Sequence, residues 1–150
     1  MKGVYALIIE LDRNERIQTG KLGLIEFKSG FYAYVGSALN SIEGRIGRHI
    51  RNEKKLRWHI DYLLKKARVL SVIYAESIDK YECIIAKELS KRFPTIYGFG
   101  STDCRCKSHL FFSENRTTLE NAVSSTINRN ELVALKESVP NNNDGFLNLD

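Results

Sequence analysis

Arg45, Arg48 and His49 place two guanidiniums and an imidazole on one short stretch of chain. That combination suits a phosphate group, because a guanidinium fork matches phosphate oxygens in pairs. His49 lies one helical turn beyond Arg45, so both reach one side of a helix. The basic character continues through Arg51, Lys54, Lys55, Arg57, Lys65, Lys66 and Arg68, with Glu43, Glu53 and Asp61 as the acidic neighbours. Such a run favours a polyanionic partner, nucleic acid first. A solvated helix face is the ordinary alternative.

A second set of reactive groups lies in the loop Tyr97 to His109, YGFGSTDCRCKSH. Cys104, Cys106 and His109 offer two soft ligands and an imidazole, and His59 or Asp103 could add a fourth. Zinc takes such a set in a tetrahedron. The Cys-x-Cys spacing and the lack of a second cysteine pair weigh against zinc and favour a rigid loop. In that loop Gly98 and Gly100 permit unusual backbone angles, and Asp103 and His109 bond locally. A third reading makes the loop a lip of the site, with Arg105 and Lys107 meeting a nucleic-acid backbone.

The elements that must position these groups are legible in outline. Gly3 to Leu11 reads as a buried strand, and Asp12 to Gln18 as a turn-like polar stretch. Lys21 to Phe27 is a second strand, and Lys28-Ser29-Gly30 turns the chain back into a third, Phe31 to Val35. Small residues then lead to a helix from Ser41 to about Glu53, capped by Asn40 or Ser41, with Ile42, Ile46 and Ile50 as its apolar stripe. Leu56 to Lys66 is a second helix, Val69 to Ala75 a fourth strand, and Lys80 to Phe93 a third helix with Ile84, Ile85, Leu89 and Phe93 inward. Pro94 stops that helix. Leu110 to Phe112 reads as an edge strand. Thr117 to Asn128 is a helix, with Asn130 to Glu137 as its weaker continuation. Residues 139–150 form a polar tail, with Phe146 and Leu147 as its docking candidates. The fold class is α+β: a small mixed or antiparallel sheet flanked by helices.

At 150 residues the chain is long enough for one real core. An apolar fraction of 43% and a charged fraction of 27% are ordinary for a globular protein, whereas the net charge of +5 is not. There is no signal-peptide core and no run long enough to cross a membrane. Three cysteines, an odd count, point to free thiols in a reducing cytoplasm.

Gly3-Val4-Tyr5, Tyr34-Val35-Gly36, Gly44-Arg45-Ile46-Gly47-Arg48-His49 and Glu82 in YECIIAK resemble, in order and in element, the motifs of the GIY-YIG nuclease family. That family includes homing endonucleases and the incision subunit of bacterial excision repair. The resemblance covers Gly3 to about Phe93, with Lys21 to Phe27 as an extra strand between the two tripeptides. Trp58 to Tyr62 and the Gly98 to His109 segment are similar to an uncharacterised archaeal and bacterial branch. Some members of that branch are fused to a base-excision repair endonuclease.

The resemblance implies a GIY-YIG-like nuclease domain over 1–114, followed by a helical extension over 115–138 and a flexible tail. It implies metal-dependent hydrolysis of DNA phosphodiester bonds, in repair or structure-specific cleavage. Glu82 would hold a single Mg2+ or Mn2+, with waters and substrate completing the shell. Tyr5 would be the general base or orient the attacking water, and Tyr34 would help position it. Arg45 would stabilise charge on the phosphate, with Arg48 and His49 as the next candidates. Arg48, Arg51, Lys54, Lys55 and Arg57 would bind DNA. The rival readings are a non-catalytic nucleic-acid-binding module on the same fold, and a domain recruiting a repair protein through the C-terminal helix and tail.

Overall fold

In the computed structural model, residues 1–140 are described. Among them the strands are β1 (Gly3–Leu11), β2 (Glu15–Gln18), β3 (Leu24–Phe27), β4 (Gly30–Ala38), β5 (Arg68–Glu76), β6 (Leu110–Ser113) and β7 (Leu135–Ser138). The helices are α1 (Ile42–Ile50), α2 (His59–Leu64), α3 (Glu82–Ser90) and α4 (Arg116–Arg129). A five-stranded sheet runs β6-β4-β1-β5-β7, and β2 and β3 form a separate two-stranded sheet. Every pairing in both sheets is antiparallel. The fold is therefore α+β, as its pattern of elements predicts.

The apolar run of β1 explains its place at the sheet centre. Nearly every residue from Gly3 to Leu11 is buried, which a strand achieves only when both faces are covered. Side chains alternate across a strand, so two cores result. Tyr5, Leu7, Ile9 and Leu11 join Tyr32, Tyr34, Ile42, Ile46, Ile60 and Phe99 on one face. Val4, Ala6 and Ile8 join Ile85, Leu89, Leu119, Val123 and Ile127, from α3 and α4, on the other.

The register of β1 against β4 sets Tyr5 opposite Gly36 and Leu7 opposite Tyr34. The two tyrosines are thus diagonal neighbours on one face. Gly36 has a steric reason to be glycine: a Cβ there would lie 2.5 Å from the Tyr5 ring. On the other side of β4, β6 pairs only with Phe31 to Tyr34. Beyond it the Val35 N–H donates to the His109 carbonyl at 2.9 Å.

Ser41 caps α1, its hydroxyl accepting from the Gly44 N–H at 2.9 Å. The helix buries Ile42, Ile46 and His49. The imidazole therefore sits on the apolar side of α1, while the neighbouring arginines lie at its margin.

Three expectations are corrected. Glu15 to Gln18 is a strand, and β3 pairs with it rather than with β4. Phe31 to Val35 instead finds β1, whose apolar length needs partners on both edges. The C-terminal continuation of α4 is not helical: Glu131 takes a φ of 62°, and Leu135–Ser138 adds to β5 as an edge strand. The segment read as an extension packs on the sheet through α4, and the tail from residue 141 lies outside the described residues.

Candidate functional site

The Tyr5 hydroxyl lies 2.8 Å from His49 Nε2. The imidazole stands 5.6 Å from the Tyr5 ring, 6.0 Å from the Tyr34 ring and 6.0 Å from the Trp58 ring, centre to centre. Trp58 in turn carries Arg45 at 4.8 Å and Arg48 at 4.1 Å from its centroid, both in cation–π range. β1, β4, α1 and the N-terminus of α2 thus bring Tyr5, Tyr34, Arg45, His49 and Trp58 together.

Burial governs their protonation. It pushes the His49 pKa down to about 3, so the ring is neutral near pH 7. A neutral imidazole keeps one acceptor nitrogen, and the Tyr5 O–H is placed to donate to it. Burial raises the Tyr5 phenol, and the guanidinium of Arg45 works against that rise. Tyr34 is also held well above the ordinary phenol range, by burial and by Tyr5. His49 Nδ1 is buried and finds no hydrogen-bond partner among the described residues. Arg45 donates to the Ser37 carbonyl at 3.1 Å, which turns its head toward the end of β4.

The other basic residues divide. Arg48 forks onto Asp61 at 2.9 and 3.0 Å and also donates to the Lys55 carbonyl. Asp61, fully buried, accepts from the backbone N–H groups of Arg57 and Trp58 as well. Burial would raise its carboxyl, but Arg48 and these amides outweigh it and hold the pKa below its ordinary value. Lys54 donates to the carbonyls of His49 and Arg51, closing the C-terminus of α1. Arg48 and Lys54 therefore serve α1 and α2 rather than standing ready for DNA. Arg51, Lys55 and Arg57 are exposed. A groove of about 490 Å³ is lined by His49, Arg51, Lys54 and Lys65.

Glu82, the first residue of α3, lies near enough to both phenols for its charge to add to the burial that raises Tyr5 and Tyr34. Its Oε2 lies 2.7 Å from His109 Nδ1. His109 Nε2 lies 3.4 Å from Cys104 Sγ. Cys83, Cys104, Cys106 and His109 offer ligand atoms that all lie within 4.8 Å of one another. Gly100, at φ +71°, allows this loop to approach: a Cβ there would meet the Tyr34 ring at 3.0 Å and His109 Cβ at 3.2 Å.

Residues 4–132 match the model of one family, the Domain of unknown function DUF123. The chain belongs to that family. No curated protein and no solved structure matches it.

The DUF123 domain corrects the metal assignment made from sequence. Glu82 was expected to hold Mg2+ or Mn2+, with zinc at the cysteine loop as the less favoured reading. Instead Glu82 faces an imidazole, and the donor set that could hold a metal is three thiols and that imidazole, which are zinc-like ligands. The proposed fourth ligands are elsewhere. His59 Nδ1 accepts from the Gly100 N–H at 2.9 Å, and Asp103 is exposed outside the cluster. The missing donor is Cys83, whose one sequence signal is that it leaves the cysteine count odd. Trp58 is half-buried and bridges His49 to the arginines. No described helix is long and apolar enough to cross a membrane.

Proposed function

We propose that this DUF123 domain hydrolyses DNA phosphodiester bonds on a GIY-YIG-type scaffold, in repair or structure-specific cleavage. The observation that carries the reading is the Tyr5–His49 hydrogen bond beside Arg45. Arg45 would bind the phosphoryl oxygens, where a fixed guanidinium opposes the charge that develops in the transition state. Tyr5 would orient the attacking water through its hydroxyl oxygen, with its own O–H held by His49 Nε2. A histidine that stays neutral near pH 7 keeps an acceptor nitrogen for that hydrogen bond. Tyr34 would fix the ring positions of both. The exposed Arg51, Lys55 and Arg57 supply a sequence-independent attraction for the backbone.

A second reading has its own support. Tyr5 is 1% exposed, and its hydroxyl is already partnered. Under that reading the same basic surface binds nucleic acid and the tyrosines only pack.

One experiment separates them. The purified chain is incubated with supercoiled plasmid and with branched duplexes, and nicking and binding are measured together. Hydrolysis predicts nicking that Tyr5→Phe and Arg45→Ala reduce by roughly a hundredfold or more while binding persists. Binding with every strand left intact overturns the catalytic reading and leaves the second.

A further inference from the structure

Two segments far apart in the chain bring reactive groups to one point. Cys83 comes from the first turn of α3, and Cys104, Cys106 and His109 come from the loop before β6. Free thiols that only pack have no reason to converge on an imidazole nitrogen. A tetrahedral zinc, with Zn–S of about 2.3 Å and Zn–N of about 2.0 Å, sets neighbouring ligand atoms roughly 3.5 to 3.8 Å apart. Four donors within 4.8 Å of one another, with Cys104 Sγ 3.4 Å from His109 Nε2, approximate that tetrahedron. Glu82 supplies an independent observation. Its carboxylate takes Nδ1 of His109 at 2.7 Å, which leaves Nε2 directed at the thiols. A ligating histidine is commonly held in this way by a carboxylate on its second nitrogen.

We propose that Cys83, Cys104, Cys106 and His109 Nε2 bind one zinc ion in a closed structural site, with Glu82 as the positioning residue for His109. Four protein ligands leave no open position for water or substrate, so the ion fastens the loop to α3 and does no chemistry itself. The thiols release their protons to solvent on binding. What the ion secures is the stretch carrying Phe99 and Gly100, which packs against Tyr34. The proposal does not depend on whether the domain cuts DNA.

The test uses the full chain, produced with zinc in the medium and purified under reducing conditions without chelator. Elemental analysis is expected to give one equivalent of zinc per chain, and X-ray absorption a shell of three sulfurs and one nitrogen. Cobalt(II) put in its place is expected to show thiolate charge transfer and the intense visible bands of a tetrahedral ion. Cys83→Ala and Cys106→Ala should each abolish that spectrum. Glu82→Gln should keep it, with affinity lowered roughly 10- to 100-fold. A folded wild-type chain that takes up no zinc or cobalt overturns the proposal. So does stoichiometric iron in zinc's place, a disulfide among the cysteines, or an unaltered cobalt spectrum in Cys83→Ala. The wild-type spectra decide the matter even if a variant does not fold.

Discussion

Tyr5 on the central strand and His49 on α1 are joined by a 2.8 Å hydrogen bond between residues that are 1% and 2% exposed. Tyr5→Phe would leave His49 without a partner on either nitrogen among the described residues. A buried polar group left unpaired costs about 1 to 3 kcal/mol. Urea unfolding of the variant is expected to show a loss in that range. A loss near zero would mean that the bond is not made in solution.

The same histidine gives a pH dependence with a definite sign. Its folded pKa, about 3, lies below the ordinary value of 6.5. Between those limits the unfolded chain binds the extra proton, so this group's contribution to stability is intact above pH 6.5 and is lost as pH falls toward 3. The slope for one proton is about 1.4 kcal/mol per pH unit. Unfolding free energies measured from pH 7 to 4 should fall with that slope added to the background, and His49→Gln should remove the addition.

Arg48 and Asp61 are the most demanding ion pair of the site. Asp61→Ala leaves a half-buried guanidinium and two backbone N–H groups without their acceptor. Losing one member of such a pair costs about 3 to 5 kcal/mol. The loss is expected in urea titrations, together with a shift in Trp58 fluorescence, since Arg48 lies over that ring. An Asp61→Ala variant within about 0.5 kcal/mol of the parent, the range of an ordinary surface change, would contradict this.

For the exposed residues the prediction concerns salt. Arg51→Ala, Lys55→Ala and Arg57→Ala should each weaken DNA binding similarly for all sequences and flatten the salt dependence by about one unit of log–log slope. Arg48→Ala should instead act through stability. Fluorescence anisotropy across a salt series, run beside melting curves, distinguishes the two patterns.

Glu120 ties the C-terminal elements to the sheet. It accepts from Ser71 at 2.6 Å and pairs with Lys136 at 3.1 Å and Arg116 at 3.3 Å. Glu120→Ala should cost about 2 kcal/mol, because it leaves the buried Ser71 hydroxyl unpartnered. It should also speed amide exchange in β7, which Lys136 helps to hold.

Much of the fold was legible because the central strands are continuous apolar runs and α1 repeats isoleucine at every fourth position. β7 was not: all four of its residues are exposed, so backbone pairing and the Lys136–Glu120 pair hold it and no hydrophobic pattern marks it. Ile84 was read as core, yet it is exposed while Ile85, Ala86 and Leu89 face the sheet. A stripe of adjacent isoleucines does not say which one turns inward. The Tyr5, Tyr34, Arg45 and His49 grouping followed from motif order. The part played by Glu82 could not, because the partner that claims it approaches from the loop before β6. Cys83 was hidden for the same reason, since helical spacing carries no mark of a contact made across the sheet edge.

β1 is paired along both edges, so the backbone beneath Tyr5 comes free only if the whole sheet separates. His49 and Arg45 have no such ladder; they ride on a nine-residue helix. The site is therefore held by a strand ladder on one side, and by buried isoleucines and the Arg48–Asp61 pair on the other. Exposing the Tyr5 hydroxyl would take the displacement of α1 and not of β1, so the phenol's access to solvent is set by how firmly that one helix packs.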